Sequence, residues 1–335
     1  MRGILCAGAA AAALFFASEA AADDSSAALG MGGIAFTQSA DIKMTDEDLS
    51  ISPKDVRIRF VFKNESVHDI DTVVAFPLPD INTAEFSNSP IGTTTDDPMN
   101  FVGFSVKQDG HPIAVSAEQK AFMNNRDVTA TIKSVGLPIN VIAGHGYGKL
   151  VALPPAKRKI LMSGDLAEFD ENKNALPHWI VRTRFYWHQH FPAGKSVVLE
   201  QHYQPVTGMA FFGDLDLKDN SDSGSYYAKG FCMDAPTRST LSRMIATAKK
   251  GKPDAGGYIN VMTTEYILKT GNNWKGPIGR FHLTLGKLKA GNVISLCWDG
   301  KLKRTGPTTF EDTRENFAPK DDIKLLVFTD QPPAR

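Results

Sequence analysis

Val56-Arg57-Ile58-Arg59-Phe60-Val61-Phe62 decides the fold class. Val56, Ile58, Phe60 and Phe62 recur at every second position with Arg57 and Arg59 between them, the period of a strand with one face in a core and the other in water. The same period spreads outward. Residues 69–76 predict another strand, ended by Pro77 and Pro79, which have no amide for the ladder. Residues 101–108 and 111–115 predict a hairpin across Asp109-Gly110, a pair suited to the positive φ angles of a tight turn. Residues 179–190 and 197–203 predict a second hairpin through Phe191-Pro192-Ala193-Gly194-Lys195. Further strands are expected over 258–268, 280–285, 293–298, 308–313 and 323–328.

Helical pattern is scarce. A short helix is expected over 127–135, with Asp127 as cap, Val128, Ile132 and Val135 on one face, and Gly136 as stop. A longer one is expected over about 235–250: Asp234 caps, Pro236 suits the first turn, Leu241, Met244, Ile245 and Ala248 form a stripe, and Gly251 terminates. The expected fold is therefore mainly β (α+β), with two antiparallel β-sandwich-like domains, one short helix in the first and one longer helix in the second. An N-terminal β domain over 23–155 and a C-terminal β domain over 178–330 would flank a linker at 156–177. There Lys157-Arg158-Lys159 and an Asp/Glu/Asn-rich stretch replace the alternating pattern.

The 335 residues are 42% hydrophobic and 22% charged, which excludes wholesale disorder, a collagen repeat and a membrane bundle. Lys plus Arg and Asp plus Glu each number 37, so no global charge draws the chain to nucleic acid. The charge is nevertheless divided. Residues 23–150 hold 10 basic and 17 acidic side chains, and residues 151–335 hold 26 and 19. Either this is scatter, or it serves domain docking or an anionic envelope component.

The leader has its own logic. Met1-Arg2, the apolar run 3–17 and Ala20-Ala21-Ala22 before Asp23 read as a secretory signal cleaved near Ala22, giving a periplasmic or secreted protein. Residues 3–18 are too short to span a bilayer, and no later run reaches that length, so no membrane span is expected in the mature form. Loss of Cys6 leaves Cys232 and Cys297, an even pair for which a disulfide is the default in an oxidising compartment. Such a bridge constrains the unfolded chain by roughly 4 kcal/mol in the loop-entropy account. The C-x-x-C spacing of redox-active pairs is absent.

Several stretches carry a resemblance. They are Asp41-Ile42-Lys43-Met44 with Glu47-Asp48-Leu49, Ala75-Phe76-Pro77-Leu78-Pro79-Asp80-Ile81, Phe185-Tyr186-Trp187, Phe191-Pro192-Ala193-Gly194-Lys195, residues 270–279, and Gly306-Pro307-Thr308-Thr309-Phe310-Glu311. Together they resemble an exported bacterial family catalogued as domain of unknown function 4424. The resemblance implies export and a β-rich fold and supplies no catalytic residues. Over about 56–121, Phe62-Lys63-Asn64-Glu65-Ser66, Phe76-Pro77-Leu78-Pro79 and Glu118 to Ala121 are also similar to the N-terminal modules of inter-alpha-trypsin inhibitor heavy chains. That likeness implies a β-sandwich interaction domain.

Three constellations could carry chemistry. His188 and His190 lie two apart on a strand and share a face, as a metal pair must; His178 and His202 are further candidates, and His202 joins them only in one hairpin register. The alternative is four solvated or hydrogen-bonded histidines. The loop Asn273, Trp274 and Lys275 could present an aromatic for stacking on a sugar or a partner, or Trp274 could fold back and plug the sandwich. Gly144-His145-Gly146-Tyr147-Gly148 lacks the Lys-Ser/Thr of a P-loop and opens no evident helix, so a turn is expected. Serine-hydrolase, zincin and β-lactamase motifs are missing. The expectation is a non-catalytic binding or structural module of the envelope, without a cofactor, engaging a protein or polymer. A metal-dependent periplasmic enzyme built on His188 and His190 is the alternative.

Overall fold

A computed structural model describes residues 25–30, 33–86, 95–172, 174–251 and 257–330. The predicted leader, 1–22, lies outside these residues. Among them the chain is mainly β, with strands gathered into two large sheets, a four-stranded sheet and a small hairpin.

Asp55–Asn64 is the strand read from the opening heptapeptide, and Val56, Ile58, Phe60 and Phe62 are all buried. It lies inside an eight-stranded sheet ordered Lys303–Arg304, Thr309–Phe317, Ile278–Gly286, Ile42–Ser52, Asp55–Asn64, Ser196–Tyr203, Ser105–Gln108 and His111–Ile113. Its neighbours are antiparallel except for Ile278–Gly286 beside Ile42–Ser52. The facing sheet runs Arg126–Asp127, Ser116–Met123, Ile180–Phe191, Ile70–Pro77, Ser25–Gly30 and Gly33–Phe36, with Ile81–Asn82 also paired to Ile180–Phe191. Between the two sheets Phe76, Phe104 and Phe185 form a run of stacked rings with centroids 5.0 and 4.4 Å apart. This contact is the packing by which two amphipathic sheets exclude water.

The Asp109-Gly110 hairpin forms as expected, with φ of 48° and 83° at its two turn residues. The second expected hairpin does not. Ile180–Phe191 pairs with Ile70–Pro77 and Ser116–Met123, whereas Ser196–Tyr203 pairs with Asp55–Asn64 and Ser105–Gln108 in the opposite sheet. Pro192 to Lys195 is a sheet-to-sheet corner, closed by the Lys195 amide donating to the Pro192 carbonyl at 3.1 Å, with Gly194 at φ 64°. Both strands bury alternate residues, so each can satisfy its core face in either sheet; partners distant in sequence decide the outcome.

The expected boundary at 156–177 is corrected in the same way. It contains all but the first residue of the helix Pro155–Ser163 and the hairpin Ala167–Phe169 with Ala175–Pro177. Strands from both sides of it share both large sheets. Leu161 and Leu166 are buried in the main core, which explains why a charged, irregular-looking stretch is folded.

A four-stranded sheet, Gly208–Phe212, Ile259–Tyr266, Ile323–Thr329 and Val293–Ser295, forms the remaining layer. The helix Ala235–Gly251 sits on it, burying Leu241 and Ile245 in a second core with Phe212, Ile259, Val261, Leu326 and Phe328. Asp234 Oδ1 accepts from the Thr237 amide at 2.8 Å, the cap read from sequence. The shorter expected helix is present as Thr129–Ser134, and Asp127 Oδ1 accepts from the Thr129 amide at 2.9 Å. Helices at Gly146–Val151 and Asp222–Gly230 were not foreseen. The former begins inside the glycine-rich stretch expected to be a plain turn; Gly146 is required because a β-carbon there would lie 2.6 Å from the Val141 backbone.

Candidate functional site

The histidines are dispersed by the corner at 192–195. His188 and His190 lie on the outer face of one sheet, and His202 is exposed on the other sheet, where its Nε2 meets Asp55 Oδ1 at 2.7 Å. His190 Nδ1 is 2.8 Å from Asp71 Oδ1, and His178 Nδ1 is 3.1 Å from the Asp165 carbonyl oxygen. The register that was to bring His202 beside His188 and His190 never arises, because their strands are not paired. Among the described residues no group of three or more His, Cys, Asp or Glu side chains is placed to hold a metal ion.

Trp274 is the plug. It is 3% exposed, and its ring lies 4.6 Å from Phe62 and 6.1 Å from Phe191. The Asn273 carbonyl accepts from the Ser39 amide, and Lys275 reaches Glu65 at 3.0 Å. The loop is therefore bound to the sandwich end and offers no exposed aromatic. Cys232 and Cys297 are joined as a disulfide, tying the segment after the helix Asp222–Gly230 to the one after Val293–Ser295.

A different place has the makings of a site. Where the sandwich meets the four-stranded sheet, a cleft of about 440 Å³ opens, within the range of small-molecule pockets. One wall is Leu78 to Asn82, the turn leaving Ile70–Pro77, continued by Glu85 of the one-turn helix Thr83–Phe86. The edge strand Gly208–Phe212 contributes Gly208, Met209 and Ala210, and its neighbour contributes Thr263 and Glu265. Tyr226 and Tyr227 come from the helix Asp222–Gly230, and Tyr203 from the end of Ser196–Tyr203.

Tyr203 sets this cleft apart from an ordinary groove. It is 1% exposed, its ring packs on Phe76 and Phe104, and its hydroxyl is buried without a hydrogen-bond partner among the described residues. A phenol so placed loses hydration without recompense, a cost that buried hydroxyls normally avoid. Burial also pushes its ionisation up. Tyr227 is pushed up to about 12 by desolvation and, more weakly, by Asp216 and Tyr226. Tyr226 is raised by desolvation first and then by the charges of Glu265 and Glu85. All three phenols stay neutral at physiological pH.

The acids on the cleft are unequally compensated. Asp80 takes a two-point contact from Arg182, Nε at 3.1 Å and Nη2 at 2.8 Å. Glu265 is 3.6 Å from Lys324. Glu85 Oε1 accepts only from the side-chain Nδ2 of Asn82, at 2.9 Å, among the contacts described. The described residues lining the cleft include no Lys, Arg or His.

The family described as domain of unknown function (DUF4424) matches residues 22–326. The chain belongs to this family. In this DUF4424 protein the matched span takes in both large sheets, the four-stranded sheet as far as Leu326 in the strand Ile323–Thr329, and every residue lining the cleft. No curated protein matches it. Among solved structures it is similar to a protein of Legionella pneumophila subsp. pneumophila str. Philadelphia 1 named for a proposed role in nutrient binding. The identity is 14%, the TM-score 0.43, and the match covers 92% of this chain and 70% of the other. Among the described residues of the DUF4424 protein no helix is long and apolar enough to cross a membrane.

Leu78 to Ile81 lie in a stretch that carries the family resemblance, but the sequence marks no residue of the cleft as a site residue. The one local signal was the Tyr226-Tyr227 doublet: on a helix two adjacent aromatics cannot both face the core, and Tyr226 is 59% exposed where Tyr227 is buried.

Proposed function

We propose that this protein is an exported, non-catalytic binding module of the cell envelope, delivered by the 1–22 leader, and that it seats a small organic solute in the Tyr203 cleft. The observation that carries the reading is Tyr203, which lines a cleft of about 440 Å³ and whose buried hydroxyl has no hydrogen-bond partner among the described residues. A ligand group that exchanges a hydrogen bond with it would recover the lost hydration, a gain available only on binding. The walls support the same reading: Leu78, Pro79, Pro205, Val206 and Met209 offer apolar contact, and Tyr226 and Tyr227 offer aromatic faces. The leader and the Cys232–Cys297 bond both fit an oxidising compartment.

The test is a thermal-shift screen of the purified chain against sugars, polyols, amino acids, amines and carboxylates, repeated with Tyr203→Phe and with Ala210→Trp to fill the cleft. A solute that raises the melting temperature of the wild type, and does so less in both variants, supports the reading. Should no solute shift the wild type, or the variants respond undiminished, the cleft is not the binding site. For export, the N-terminus of protein recovered from the envelope should begin at Asp23; an intact Met1 on that protein would exclude cleavage there.

A further inference from the structure

We infer that the cleft selects small aliphatic amines in their protonated, N–H-bearing form. The inference rests on the ligand cleft proposed above and names its chemistry.

Glu85, Glu265 and Asp80 line the cleft and no basic side chain among the described lining residues does, so an anionic ligand would meet like charge with no cation on the lining to receive it. The three acids do not contribute equally. Asp80 is neutralised by Arg182, and Glu265 shares Lys324, which leaves Glu85 with the greatest unspent charge. Tyrosine faces attract cations through the ring quadrupole, and Tyr226 and Tyr227 line the same space. The rise in the Tyr226 ionisation caused in part by Glu265 and Glu85 has the same origin: negative potential around the cleft opposes any added negative charge.

The buried phenol narrows the class further. A quaternary ammonium satisfies aromatic walls but carries no N–H, and would leave the Tyr203 oxygen as bare as before. A primary ammonium has three donors, enough to give one to Tyr203 and others to the carboxylates. Polar groups confined to a few positions among apolar walls suit a short carbon chain with a cationic end.

Isothermal titration of the purified chain with putrescine and cadaverine, against 1,4-butanediol and 1,5-pentanediol as uncharged isosteres and succinate as the anion, tests the inference. The expected result is an amine binding at least about tenfold tighter than its diol, with affinity falling as ionic strength rises, and no succinate binding. Glu85→Gln with Glu265→Gln should cut the preference to below about threefold while leaving the circular dichroism spectrum unchanged. Tyr203→Phe should weaken amine binding by about ten- to a hundredfold, the net worth of one hydrogen bond to a charged group. Tetramethylammonium should not share the Tyr203→Phe effect.

Diols binding as tightly as amines, succinate binding more tightly, or neither amine binding would overturn the inference. Those results are separable from failure of the cleft itself. A sugar or other neutral solute whose thermal shift depends on Tyr203 would preserve the binding cleft and remove only the preference for amines.

Discussion

The side-chain amide of Asn64 donates to the Phe191 carbonyl at 2.9 Å, and so ties the last residue of a strand in one large sheet to the last residue of a strand in the other. The same Nδ2 donates to the His68 carbonyl at 2.8 Å, and Oδ1 accepts from the Ser66 amide at 2.9 Å. Asn64 is wholly buried. The Phe62-Lys63-Asn64-Glu65-Ser66 stretch that carries a resemblance in sequence is thus a device for closing one end of the sandwich.

Asn64→Ala should accordingly destabilise the fold by about 3 kcal/mol, because two carbonyls and one amide lose their partner where water cannot reach all of them. Asn64→Asp should cost at least as much, since it turns an oxygen toward the carbonyls that the Nδ2 now serves. Urea unfolding followed by tryptophan fluorescence gives both values. A midpoint within error of wild type for Asn64→Ala would remove the idea that this end is held by a hydrogen-bond hub.

Trp274 makes the companion prediction. Its ring fills the space between Phe62 and Phe191 beside that hub, so Trp274→Ala should cost about 3–5 kcal/mol through lost contact and a residual cavity. Lys275→Ala, which removes an exposed ion pair with Glu65, should be close to neutral. Binding measured well below each variant's melting temperature should be unchanged for both, since neither residue lines the cleft. Altered ligand affinity in Trp274→Ala at a temperature where it remains folded would place the loop back among the binding elements.

The disulfide predicts a stability difference between redox states. Closing a loop with a sequence separation of 65 corresponds to roughly 4 kcal/mol of unfolded-state entropy. Cys232→Ser with Cys297→Ser should lose an amount of that order and leave the mainly β circular dichroism intact under native conditions. Mass spectrometry without reductant should find the two peptides linked. Free thiols at both positions in protein taken from the envelope would contradict the pairing.

The strands could be read because alternation is a local signal: a residue's neighbours two positions away reveal its face. Val56 to Phe62 needed nothing else. The fate of 192–195 could not be read in that way. Pro-Ala-Gly-Lys can turn a chain back on its own strand or carry it across the core, and the choice is made by Ile70–Pro77 and Asp55–Asn64, more than a hundred residues away. The placing of His202 beside His188 and His190 fell with the hairpin, because it alone presupposed that register. The cleft was hidden for a related reason. Asp80, Tyr203, Tyr226 and Glu265 come from four separate segments, and nothing in any one of them marks the others. A buried phenol without a partner is a property of the folded chain.

Tyr227 makes the last prediction, in alkaline solution. Its folded ionisation stands at about 12 against an ordinary value of 10.0, chiefly because burial disfavours the phenolate. A group whose folded pKa lies above its unfolded one stabilises the fold while it is neutral. That contribution is therefore whole below about pH 10 and is lost as pH rises through about 12, where folded and unfolded forms both ionise. Tyr227→Phe keeps the ring against Phe212, at the 5.1 Å contact seen in the wild type, and removes the titration. Urea midpoints at successive pH values between about 9 and 12, the span of these ionisations, should fall less steeply in the variant than in the wild type. The difference between the two curves should grow above pH 10. Parallel curves would mean that Tyr227 ionises as readily in the folded chain as in the unfolded one, and that the wall of the cleft it forms is wetter than its packing against Phe212 and Phe231 implies.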